Sequence, residues 1–313
     1  MSQTKIKNKT NQHTPVLLQE VLDTLAPKKG ESYLDLTAGY GGHASEIIRL
    51  TESNAVLIDR DDNAIAVLKT NFANNSLVSF KHQNFAEACI ELKAKKQIFD
   101  IILADLGVSS PHLDNASRGF SLRADGPLDM RMDPLQELTA GIVLNTYSAK
   151  QLERILREYG EEPKAKRMAG LIIESRPLKT TSELANLAKK VWPGHSRSHP
   201  ATRLFQAIRI EVNNELGQLE QALPEMVNLL APNGRLGIIT FHSLEDRIVK
   251  KFFKGMAGDR YDAELNEITR QPRTATPHEL VINPRSRSAK LRVVAKIKTK
   301  EGQGKSYANT GKN

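Results

Sequence analysis

Residues 32 to 59 constrain this chain most. They read as a strand, a glycine-dense turn, a helix and a second strand ending on an acid. Residues 32 to 36 are short and apolar enough for a buried strand. Gly39, Gly41 and Gly42 follow within four positions, then a helix over 43–50. Ala55 to Ile58 is a second apolar strand, and it runs into Asp59. This order is the first half of a nucleotide-cofactor site, in which glycines let the backbone approach the ligand and the acid accepts from ribose hydroxyls. Each feature also has a plainer reading, as turn glycines and a surface acid, but their order at strand ends favours a ligand. The third glycine of G-x-G-x-x-G is missing, since Gly42 follows Gly41 at once and His43 comes next. S-adenosylmethionine has no pyrophosphate to seat on the helix, so it suits the turn better than NAD, and a dinucleotide site is the competing reading.

The alternation continues with a helix over Asp62–Phe72, a strand over Val78–Lys81, a helix over Phe85–Lys95 and a strand over Phe99–Ala104. It predicts a parallel sheet covered by helices. Upstream, Thr14-Pro15 reads as an N-cap with proline at the first helical position of a helix ending before Pro27. After Asp105 the pattern breaks. Residues 114–134 have no sustained period, and an all-helical stretch follows. Ser148-x-x-Gln151 and Thr180-x-x-Glu183 are capping boxes, Pro163 opens one helix and Trp192-Pro-Gly ends another. A last helix from Pro200 carries an apolar seam through Phe205, Ile208, Val212, Leu216 and Leu219. A turn at Pro232-Asn-Gly234, a strand over Arg235–Phe241, a helix over Ser243–Phe253 and a strand over Leu291–Ile297 resume the sheet pattern. The expected fold is therefore α/β, a doubly wound Rossmann-like sheet interrupted by an all-helical insertion. The core occupies 1–111 and 214–298, the insertion 112–213, and 299–313 is a polar, disordered tail.

With 313 residues the chain has ample material for such a core. No run of 18 apolar residues predicts a membrane span, and the polar start is no secretory signal. One cysteine, Cys89, allows no internal disulfide and no cysteine zinc cluster, which suits a reducing cytoplasm. The one H-x-x-x-H spacing, His195 to His199, lacks the glutamate of H-E-x-x-H, and no C-x-x-C spacing exists, so no metal is expected. The net charge of +9 is segregated: residues 13–163 sum to −7, 164–209 to +8, 210–282 to −3 and 283–313 to +8. Two basic blocks beside an acidic cofactor region point to a polyanionic partner. On the helix from Pro200, Arg203, Gln206, Arg209 and Asn213 form a stripe opposite the apolar seam, expected to meet phosphates. Arg285, Arg287, Lys290 and Arg292 flank the last strand and are expected on the other side of the nucleic acid.

Asp105-Leu-Gly-Val-Ser-Ser-Pro111 leaves the carboxyl end of the fourth strand, the edge where open α/β sheets bind ligands. Acceptors there suit methyl transfer to an exocyclic amine. Its lone pair is delocalised into the ring, and acceptors aimed at its protons favour the pyramidal nitrogen that forms. Asp105, Ser109 and Ser110 are the catalytic candidates; a local capping turn is the alternative. Transfer to cytosine C5 needs a cysteine nucleophile, and Cys89 sits inside an apolar helix. His242, after the fifth strand, reads equally as a structural histidine or a base.

Taken together these motifs are specific. The chain resembles the RsmH (MraW) family of bacterial small-subunit rRNA cytosine-N4 methyltransferases from His13 to about Val294. The carrying stretches include Thr37-Ala-Gly-Tyr-Gly-Gly-His43, Asp105-Leu-Gly-Val-Ser-Ser-Pro111, Arg118-Gly-Phe-Ser, Asp125-Gly-Pro-Leu-Asp-Met-Arg-Met-Asp133, Tyr159-Gly-Glu-Glu, His199-Pro-Ala-Thr-Arg203, Phe241-His-Ser-Leu-Glu-Asp-Arg247 and Asn283-Pro-Arg-Ser-Arg-Ser288. The resemblance implies S-adenosylmethionine as methyl donor and a decoding-centre cytosine of 16S rRNA as substrate; the small ribosomal subunit is the expected setting, and the sequence leaves naked rRNA and assembled subunit both open. It implies cofactor contacts at Gly41, Gly42, His43, Asp59, Phe85, Asp105 and His112, where many relatives have glutamine. The RNA contacts expected from the basic blocks are Arg203, Arg209, Arg285 and Arg287. A non-catalytic RNA-binding assembly factor and an NAD-dependent oxidoreductase are the alternatives. The sequence leaves the oligomeric state open.

Overall fold

The structure is a computed structural model and describes residues 15–108, 113–194, 199–258 and 263–297. The strands are β1 (Tyr33–Asp35), β2 (Ala55–Asp59), β3 (Val78–His82), β4 (Phe99–Asp105), β5 (Leu230–Thr240), β6 (Leu265–Glu267) and β7 (Lys290–Lys296), joined in the order β3-β2-β1-β4-β5-β7-β6. β1 to β5 are mutually parallel, as the strand–helix alternation predicts. The expected last strand forms as β7, which runs antiparallel to β5, with β6 antiparallel to β7. Between β6 and β7 the chain makes only a six-residue helix, Pro277–Ile282, and a short 3-10 turn, Pro284–Ser288.

Helices cover both faces. On one side lie α1 (Leu18–Leu25), α2 (Gly42–Thr51) and α3 (Asp62–Asn71), whose Leu25, Ile47 and Leu68 pack with Leu57, Ile101 and Val293. On the other lie α4 (Phe85–Ala94) and two later helices, with Cys89 and Leu92 packed among Ile102, Leu236 and Ile238. Burial pushes the Cys89 thiol up to about 12, so it is an inert core group.

Between β4 and β5 the chain builds α5 (Ala140–Thr146), α6 (Ala149–Glu158), α7 (Ala165–Glu174), α8 (Thr181–Val191), α9 (Thr202–Asn213) and α10 (Glu215–Asn228). The boxes at Ser148–Gln151 and Thr180–Glu183 both form as read. The first five helices share a core of their own, from Phe120 to Val212, including Leu152, Met168, Leu184 and Ile208. The expected seam from Phe205 to Leu219 is divided. Asn214 takes φ +48°, α9 stops, and α10 turns away to pack on α4 and the sheet. After β5 come α11 (Ser243–Met256) and α12 (Pro277–Ile282).

α1 begins later than the Thr14-Pro15 cap predicts. Thr14 lies outside the described residues, and Leu17, in the left-handed region, donates its N–H to the Glu279 carboxylate at 2.8 Å. An acid 262 residues away caps the helix, a contact no local pattern can announce. The tail expected at 299–313 also lies outside the described residues.

Candidate active site

The strand order reverses between β1 and β4, and the carboxyl ends around that switch point make the cleft of a doubly wound sheet. Three loops converge there. The first is the glycine turn. Gly41, at φ +86°, precedes α2 and offers no side-chain cap, so the first-turn N–H groups have no side-chain acceptor. A Cβ on Gly42 would stand 2.5 Å from Pro15 Cγ, so glycine here also lets the start of the chain close over the turn.

Asp59, at the end of β2, braces this turn: Oδ2 accepts from the Gly39 N–H at 2.7 Å and Oδ1 from the Asp61 N–H at 2.8 Å. Phe85 opens α4 half-buried, with its packed side on the core. His43 and Asp105 meet: His43 Nε2 lies 3.5 Å from Asp105 Oδ2. His43 is 7% exposed, and both its ring nitrogens, like Asp105 Oδ1, are buried without a hydrogen-bond partner among the described residues. Buried polar atoms left unpaired at a cleft are an arrangement that a polar ligand completes. The Asp105 N–H is held by Thr37 Oγ1 at 2.6 Å, which fixes where the carboxylate stands.

Beneath them is a buried pair. Tyr33 donates its hydroxyl to Asp35 Oδ2 at 2.6 Å, and both side chains are buried. Burial pushes the Asp35 carboxyl up to about 6, against the Tyr33 hydroxyl, His43 and the Thr37 amide, which favour its charge. A raised carboxyl binds its proton more tightly folded than unfolded. Its favourable contribution is therefore complete below about pH 4 and is lost as pH rises through 6. Asp35→Asn is accordingly expected to gain thermal stability over the unsubstituted chain as pH rises from about 4.5 to 7. Thermal melts across that range check it, and a pH-independent difference would give Asp35 an ordinary carboxyl.

The sequence reading missed the clasp between core and insertion. Arg118, in the aperiodic stretch, pairs with buried Asp61 at 3.3 Å and donates to the carbonyls of Arg131 and Met132. Arg131 in turn holds Asp129 and the carbonyls of Pro134 and Gln136. The charged run at 125–133 is thus mostly spent on its own loop. Glu161, from Tyr159-Gly-Glu-Glu, accepts from Ser243 Oγ and pairs with Arg247 at 2.9 Å, tying the insertion to α11.

Several expected positions need correction. Arg209 is not on a solvated stripe: its guanidinium makes two 2.8 Å bonds to Glu215, and both side chains are largely buried. Asn213 is 1% exposed and bridges Met132 N and Met130 O. The helix turns that face into the junction with α10, which a lone amphipathic pattern does not show. Arg203 is exposed. Arg292 is buried against Asp246 at 2.7 Å, and Lys290 shares that acid. Arg285 is exposed and pairs with Asp114, whereas Arg287 is exposed and has no ion-pair partner among the described residues. His242 caps α11, with Nδ1 accepting from the Glu245 N–H. Glu215, His242 and Glu245 bring candidate ligand atoms within 4.8 Å of one another, but Arg209 occupies both Glu215 oxygens. Ser109, Ser110 and His112 lie outside the described residues. Among the described residues no helix is long and apolar enough to cross a membrane.

Comparisons with known proteins accord with this geometry. The model of the MraW methylase family matches residues 10–297. Ribosomal RNA small subunit methyltransferase H of Heliobacterium mobile is 46% identical over 310 residues, spanning 91% of this chain and 99% of that protein. The protein of the same name from Clostridioides difficile is 45% identical over 307 residues, with the same coverage. That from Mycoplasmopsis synoviae is 46% identical over 301 residues, 92% of this chain and 99% of its own.

Proposed function

The chain belongs to the MraW methylase family, and from that premise we propose that it methylates N4 of a cytosine in the decoding centre of small-subunit ribosomal RNA. The observation that carries this reading is the meeting of buried His43 with half-buried Asp105 at the switch point between β1 and β4, where the His43 ring nitrogens and Asp105 Oδ1 have no hydrogen-bond partner among the described residues. The donor is S-adenosylmethionine, which supplies an electrophilic methyl group on a sulfonium. The fit rests on the uncapped first turn of α2, the acid Asp59 at the end of β2 beside the glycine turn, the half-buried ring of Phe85 and those unpaired atoms. A methylase family also disfavours the dinucleotide reading of the glycine turn.

In this reading Asp105 does the positioning. Thr37 fixes its backbone, and Oδ1 is left free to accept an N–H of the exocyclic amine. Accepting that bond raises electron density on the nitrogen as it attacks, and gives the surplus proton a first acceptor. Cys89 is buried in α4 with its thiol protonated, so no nucleophile for C5 chemistry stands nearby. The insertion, residues 112–213, recognises the RNA and presents Arg203 to its backbone. The substrate is the small subunit or its rRNA, in the cytoplasm.

The test is nucleoside mass spectrometry of hypomethylated small subunits incubated with the protein and labelled S-adenosylmethionine. N4-methylcytidine is the expected product. Labelled 5-methylcytidine would overturn the chemistry, and RNA binding with no transfer would favour an assembly factor.

A further inference from the structure

A second cleft lies on the same edge of the sheet, two strands from β4. Because β7 runs antiparallel to β5, its first residue, Lys290, pairs with Thr240 at the carboxyl end of β5. β5 in turn pairs with β4, Asp105 opposite Ile239. The start of β7 therefore stands on the reactive edge, although its chain direction is reversed. There a cleft of about 280 Å³ is lined by Phe241, Ser243, Thr274, Arg287, Ser288 and Lys290, among others. Its lining holds two cations, an aromatic ring and three hydroxyls, of which Ser243 Oγ already donates to Glu161, with no carboxylate. Lys290 is shared with Asp246, but Arg287 is exposed and unpaired among the described residues. Phe241 connects the cleft to the reacting loop, since a Cβ on Gly107, two residues after Asp105, would touch its ring at 3.4 Å.

We propose that this cleft seats the nucleotide next to the target cytosine, with its phosphate on Arg287 and Lys290 and its sugar or base against Phe241. This rests on the reading of the substrate as RNA and assigns a subsite to it. Guanidinium and ammonium groups with hydroxyl donors suit a phosphodiester, and an aromatic wall suits a splayed nucleotide. A base drawn out of its stack over Asp105 leaves its flanking phosphate needing a partner on the same edge. The spacing along β4, β5 and β7 provides one without help from the insertion.

The experiment uses the full chain and a cytosine-containing RNA oligonucleotide in which one phosphate at a time is replaced by a neutral methylphosphonate. Arg287→Ala is expected to weaken oligonucleotide binding about tenfold and to reduce its salt slope by about one. S-adenosylmethionine affinity should be unmoved by calorimetry, since the cofactor turn lies at β1 and β2. One methylphosphonate position beside the target should weaken the unsubstituted chain about as much and cost Arg287→Ala nothing further. Arg287→Lys should restore part of the loss. Unchanged RNA affinity in Arg287→Ala would overturn the subsite. So would a loss that couples to no single phosphate, which would reduce Arg287 to diffuse attraction. Absence of methylation of small subunits by the unsubstituted chain would instead overturn the substrate reading, and the subsite with it.

Discussion

Replacing Asp105 by alanine is expected to lower methyl transfer about 10²- to 10⁴-fold while leaving the thermal melt essentially in place. The two effects separate because the carboxylate contributes little to the fold. Its Oδ1 has no hydrogen-bond partner among the described residues, and Oδ2 stands 3.5 Å from a histidine. The bond that anchors the position runs from the backbone N–H to Thr37 Oγ1, and alanine retains it. Removing the side chain also relieves repulsion with buried Asp35, whose own carboxyl is already pushed up to about 6, chiefly by burial. A single-turnover assay beside a melting curve decides the matter. Loss of activity explained by unfolding would return Asp105 to a structural role.

Arg209→Ala is expected to act in the opposite way, through stability. The change strips a largely buried Glu215 of both its hydrogen bonds, and breaking such a pair costs about 3–5 kcal/mol. The loss falls where α9 turns into α10, so it should loosen the junction between the insertion and the sheet. Urea unfolding measures it, and Arg209→Met combined with Glu215→Leu should recover much of it, since no charge is then left buried. If Arg209→Ala unfolds like the unsubstituted chain yet loses RNA affinity, the guanidinium belongs to the RNA surface after all.

Arg209 also shows what a single sequence conveys. Helical periodicity located the apolar side of α9 correctly, because Phe205, Ile208 and Val212 have to be buried together. It could not show that the opposite side is covered by the next helix, since Asn214 breaks the chain direction at one residue. The alternation from β1 to β4 and the turn before α2 were legible because each is encoded within about ten residues. α10 was missed because its apolar positions read as an extension of α9. Short β6 and α12 carry too few residues for any period. In the candidate site, the strand ends could be named from sequence. The meeting of His43 with Asp105, the Tyr33–Asp35 pair and the Arg118–Asp61 clasp depend on packing between separate segments.

The route between β4 and β5 has a consequence for how such an enzyme diversifies. An ordinary crossover needs one helix, and α10 already supplies it by packing on α4 and the sheet. Everything from Phe120 to Val212 is a detour placed ahead of that helix, with an interior of its own. It leaves from the reactive edge after Asp105 and is clasped back to that edge by Arg118 and Glu161. The detour's outer face can therefore be altered without disturbing strand register, because its interior is separate from the core on the sheet.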